Sequence, residues 1–165
     1  MQVHFQANAN RPFTVGYGAR TTLTARNGVG HGTIQRSSKA PNSSFFTHWA
    51  SADDWITWDI EIGKSSVYEA IVHYTCAQGD EDATIRLAMQ GGNSVPARVV
   101  EVFDPPLYDK SKERVAKSHY FVKDFKPLSL GALQLEKGHG TLKLDALDVK
   151  GKPVIDVHSL VLILR

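Results

Sequence analysis

Cysteine is almost absent. Cys76 stands alone in a chain of 165 residues, so no intrachain disulfide can staple this fold. It falls on the apolar side of an alternating stretch, where a thiol acts as a small hydrophobe and not as a nucleophile. Long apolar runs are missing too, and no segment reaches the length a bilayer-crossing helix needs. The N-terminus lacks a signal peptide's apolar stretch, so export would need a signal outside this sequence. Charge of one sign is scarce. The net charge is only +2, which argues against a nucleic-acid binder with its marked basic surface.

Catalytic signatures are missing as well. The seven histidines form neither HExxH nor an i, i+4 pair for zinc. No serine sits in a GxSxG elbow. Asp53 and Asp54 are neighbours, which in a strand point apart and make a poor acid and base pair. GVGHG at 28–32 is glycine-rich, but neither Lys-Ser/Thr nor a helix opening follows, so phosphate binding is not indicated. Asp80-Glu81-Asp82 reads as an exposed turn, with a calcium site as the alternative, although EF-hand spacing is lacking. The expectation is a protein that is not an enzyme.

What is present is a 42% hydrophobic, 22% charged composition of ordinary globular type. The length suits one domain over 1–165 with a real core. The organising stretch is Trp49 to Cys76. Ile56, Trp58, Ile60 and Ile62 share one face, against Thr57, Asp59 and Glu61. Tyr68, Ala70, Val72, Tyr74 and Cys76 share another. Period two marks half-buried strands. With turn chemistry at Gly63-Lys64-Ser65-Ser66 between them, the simplest expectation is an antiparallel pair laid on one core.

The rest of the chain follows suit. Strands are predicted at Gln2–Gln6, Phe13–Tyr17, Thr21–Ala25, Thr84–Met89, Val95–Phe103 and Ser118–Phe125. Asn27 to Ser44 reads as a loop, with a short strand over Thr33–Gln35. Leu133, Leu135, a turn at Gly138-His139-Gly140, then Leu142 and Leu144 predict a hairpin. Val154 to Leu164 is apolar on both faces, so that strand is central or lies under a partner domain. Frequent turns, short strands and no long amphipathic helix predict an all-β sandwich.

Particular residues sharpen this. Asp54-Trp55-Ile56-Thr57-Trp58-Asp59-Ile60 followed by Val67-Tyr68-Glu69-Ala70 resembles the core of galactose-binding-like jelly rolls, the carbohydrate-binding modules of families six, thirty-five and thirty-six. The hairpin leucines and the closing Val154-Ile155-Asp156-Val157 are similar to later motifs of those modules. Trp49-Ala-Ser51-Ala-Asp53-Asp54, Tyr74-Thr75-Cys76, Asp104-Pro-Pro-Leu107 and Tyr120-Phe-Val-Lys123-Asp124-Phe125 together resemble an ancillary C-terminal domain of bacterial sulfatases, over about residues 45–165. The sulfatase catalytic motif is missing after Cys76, so the resemblance implies a non-catalytic attachment.

The resemblance also implies a structural calcium between a glutamate of the first strand and an aspartate of the last. Asp156 matches the aspartate, whereas the first strand offers His4 or Gln6, neither a carboxylate. For sugar binding, Trp49 and Trp55 are the candidate aromatic platforms, because a flat face suits a sugar's C–H surface. The alternative is that every tryptophan packs the core, as Trp58 is expected to do. Tyr108, His119, Tyr120 and Lys123 flank a basic loop that could meet a sulfated glycan; the alternative is a solvated loop. The implied role is a secreted or periplasmic module that binds polysaccharide or sulfated glycan for a catalytic domain, with neither nucleic acid nor membrane as partner. The rival is a structural domain that packs on such a partner and binds no sugar.

Overall fold

The computed structural model describes residues 12–38, 44–106, 123–149 and 154–165. Its strands are β1 (Phe13–Val15), β2 (Arg20–Thr24), β3 (Gly28–His31), β4 (Gln35–Arg36), β5 (Phe46–Thr47) and β6 (Trp55–Ile62). They continue with β7 (Ser66–Thr75), β8 (Thr84–Met89), β9 (Ser94–Arg98), β10 (Lys126–Leu135), β11 (Gly138–Asp148) and β12 (Asp156–Leu164). Two sheets form a β-sandwich. One runs β1-β6-β11-β8-β9, with β3 beside β1 on the same edge of β6. The other runs β10-β7-β12-β5-β4, with β2 also on β12.

The predicted faces hold. Ile56, Trp58, Ile60 and Ile62 are buried, as are Tyr68, Ala70, Val72, Tyr74 and Cys76. The predicted pairing does not. β6 and β7 are not hydrogen-bonded to each other; they belong to opposite sheets and meet face to face across the core. The same correction applies to Leu133–Leu144. β10 pairs with β7 and β11 with β6 and β8, so Glu136-Lys137 crosses between sheets and Gly138 and Gly140 lie inside β11. The two crossings sit together, since the Lys137 N–H donates to Ser65 Oγ at 2.7 Å. An apolar face can be buried against a strand of the facing sheet as readily as beside a hydrogen-bonded neighbour.

β12 is central, as one of its two expectations had it. β7 bonds one edge, and β2 and β5 bond the other. Leu160, Val161 and Leu162 are all buried within this chain. The expected strand at Gln2–Gln6 lies outside the described residues, as does most of Ser118–Phe125.

The first four residues of GVGHG form strand β3, and Gly32 turns out of it. Gly28 and Gly30 turn inward, where a Cβ would stand 2.6 Å from Trp58 Nε1 and 2.7 Å from an Ile34 methyl. Val29 and His31 take the other face. Glycine inside a strand marks such a close approach. Gly28→Ala should therefore lower stability by about 1–3 kcal/mol, read as a smaller urea midpoint at constant m-value.

Candidate functional site

Alternation along β6 turns Trp55, Thr57, Asp59 and Glu61 away from the core. β3 and β11 flank β6 on opposite edges. From β3, His31 stacks on the Trp55 indole, with centroids 4.9 Å apart and planes 11° from parallel. Its Nε2 lies 2.8 Å from Thr57 Oγ1, which pins the imidazole. From β11, Lys143 Nζ stands 5.0 Å from the indole centroid. Arg86 of β8 grips Asp145 of β11 through Nε at 3.1 Å and Nη2 at 2.7 Å. The result is a row of planar and charged groups across the sheet, with Trp55 half-buried at its centre.

A cleft of about 450 Å³ adjoins this row, lined by Thr33, Gln35, Thr47, His48 and Ala50. Thr33 and Ala50 both hydrogen-bond Asp54, the residue before Trp55, so cleft and row share one end of the sandwich. His48 takes a φ of 64°, uncommon for a residue with a side chain. Gly32 takes φ +78, and a Cβ there would stand 2.0 Å from Asp54 Oδ1.

Asp54, buried just before β6, holds the cleft walls. Its Oδ1 accepts the Thr33 N–H at 2.9 Å, and its Oδ2 accepts the Ala50 N–H at 3.0 Å. The Thr33 hydroxyl lies within bonding reach of both this carboxylate and the His48 carbonyl, and its single proton serves one at a time. Burial pushes the Asp54 carboxyl up, but hydrogen bonds from Thr33, Ala50 and Ser51 outweigh it and leave the group below its ordinary 3.8. The folded-state value is therefore the depressed one. Its contribution to stability is complete above about pH 4 and fades as pH falls through the folded value. Asp54→Asn should cost about 1–3 kcal/mol at neutral pH and flatten the acid limb of a pH–stability curve measured by denaturant melts.

The predicted site residues fare unequally. Trp55 is at the surface row. Trp49 is not: it is 1% exposed, with its N–H donated to the Ser51 carbonyl, so it packs the core and has no face for a sugar. Lys123 is also withdrawn, its side chain 10% exposed against Asp156. Tyr108, His119 and Tyr120 lie outside the described residues. In the acidic turn, Glu81 accepts the Gly79 N–H and Asp82 pairs with Arg98. Among the described residues no three His, Cys, Asp or Glu side chains gather as metal ligands. Ser159 Oγ lies 3.1 Å from His158 Nδ1, but Ser159 is 3% exposed and beyond a substrate's reach. Burial, first, and nearby acidic groups push the Cys76 thiol up to about 11, so it is no nucleophile.

Sequence reading missed His31, Thr33, Gln35 and His48. The signal was there: glycines at 28, 30 and 32 alternate with Val29, His31 and Thr33.

No protein-family model matches the chain, and no curated protein matches it. Solved structures do. A family 35 carbohydrate-binding module from Clostridium thermocellum superposes with TM-score 0.61 at 11% identity, over 90% of this chain and 100% of that one. The GH26-CBM35 β-(1,4)-mannanase of Podospora anserina gives 0.60 at 13% identity, over 89% of this chain and 28% of that one. The mosquito-larvicidal Cry4Aa toxin of Bacillus thuringiensis gives 0.64 at 11% identity, over 93% and 25%. The chain thus spans about a quarter of the mannanase and of the toxin, and the whole of the isolated module. At such identities the likeness shows the fold, a jelly-roll β-sandwich common to carbohydrate-binding modules and a toxin.

Proposed function

We propose that this chain is a non-catalytic carbohydrate-binding module, an accessory domain that holds polysaccharide near a glycan-degrading or sulfatase partner of a secreted or periplasmic protein. The observation that carries the reading is local. One end of the sandwich holds the half-buried Trp55 indole next to Asp54, whose carboxylate binds Thr33 and Ala50 of a cleft lined also by Gln35, Thr47 and His48. A sugar needs that combination, an apolar plane for its C–H face and polar groups for its hydroxyls. Fold alone cannot carry a function, as the toxin in the comparisons illustrates. Tethering such a module to an enzyme raises the effective concentration of polymer without new chemistry.

The rival, a docking domain without sugar, drew on the doubly apolar last strand. Leu160, Val161 and Leu162 of that strand are buried within this chain, which supports the sugar-binding reading over the rival.

Affinity electrophoresis of the full chain through gels containing neutral or sulfated polysaccharides tests the proposal. Retardation by at least one polymer, reversed by its free oligosaccharide, is the expected result. Unretarded migration in every gel would refute it.

A further inference from the structure

Away from the candidate site, Asp156 opens β12 with its Oδ2 2.7 Å from Lys123 Nζ. Both side chains are largely withdrawn from water, at 16% and 10% exposed. The same ammonium stands 5.0 Å from the Phe45 ring centroid and 5.7 Å from that of Phe125. The two rings meet edge to face at 5.3 Å, and Phe125 leans on His158 at 5.0 Å. The chain entering β5, the chain entering β10 and the start of β12 are thus gathered around one positive charge.

The calcium implied by the sequence resemblance does not fit here. Calcium takes six to eight oxygen ligands, several of them carboxylate or carbonyl. The partners here are the Lys123 ammonium on Asp156 and two benzyl rings on that ammonium, and among the described residues no three His, Cys, Asp or Glu side chains gather as metal ligands. A divalent ion on Asp156 would meet Lys123 Nζ at close range and be repelled by it. The first-strand position that should supply a second carboxylate holds His4 or Gln6.

We propose that Lys123 is the resident cation of this site, so that the jelly roll is held closed at β12 by its own ammonium and needs no divalent metal. A carboxylate taken from water must be paired, and removing its partner is strongly destabilising. Lysine supplies that charge covalently, and the faces of Phe45 and Phe125 favour it further. The charge is tethered to the chain just before β10.

Thermal unfolding of the full chain with excess EDTA and with millimolar calcium chloride tests this. The two midpoints should coincide. Lys123→Met and Asp156→Asn should each lower the midpoint by roughly 5–10 °C. The double variant should recover part of the loss, because neither charge is then left alone. A midpoint that falls in EDTA and returns with calcium would overturn the proposal, as would a Lys123→Met protein as stable as its parent. If Lys123→Met does not fold, the EDTA and calcium comparison on the unmodified chain decides.

Discussion

Trp58→Ala should cost about 3–5 kcal/mol of stability, lowering the thermal midpoint by roughly 6–20 °C. Trp58 is fully buried at the middle of β6. Its indole N–H donates to the Thr24 carbonyl at 3.0 Å, and its ring meets the edge of Phe46 at 6.1 Å. Gly28 lies against it so closely that no side chain fits between. Truncation removes that contact area, opens a cavity and leaves the Thr24 carbonyl without its donor. Urea denaturation followed by circular dichroism would measure the loss. Parent-like stability would mean the faces of β6 are wrongly assigned.

The second large effect belongs to binding. Trp55→Ala should weaken association with a retained polysaccharide about 30-fold, the equivalent of about 2 kcal/mol, while the unfolding midpoint moves little. His31 is fixed on the indole by stacking and by Thr57. Lys143 is held more loosely. Its ion pair with Asp145 is 3.8 Å long, and Asp145 is already gripped by Arg86. A flexible ammonium moves aside more easily than a pinned ring, so the sugar should stack on the face Lys143 covers. Lys143→Ala should then retain or tighten binding. If Lys143→Ala abolishes it and Trp55→Ala does not, the ligand is held by charge and not by the ring.

Much of the fold was legible because side-chain period is a local property. Ile56 to Ile62 and Tyr68 to Cys76 declare their buried faces without reference to anything else. Partners are not local. The short links Gly63–Ser65 and Glu136–Lys137 serve a hairpin or a crossing between sheets equally well, and alternation reads the same in both. The site was legible only in part. Trp55 is out of phase with Trp58 along β6 and so faces outward, but Trp49 precedes the strand and has no phase, so alternation cannot reveal its burial. The cleft escaped because glycine-rich sequence reads as loop, whereas here Gly28 and Gly30 are the small half of a strand beside Trp58 and Ile34. Lys123 looked like part of a basic surface because the aspartate and the rings that claim it are distant in sequence.

Fluorescence quenching offers the most direct trial. Of the three tryptophans, Trp49 and Trp58 are 1% and 0% exposed, and only Trp55 is open to a dissolved quencher. Adding a retained oligosaccharide should shield that single fluorophore from acrylamide, and Trp55→Phe should abolish the shielding. Equal quenching with and without the bound sugar would place the ligand elsewhere and contradict the assignment of this end of the sandwich as the binding site.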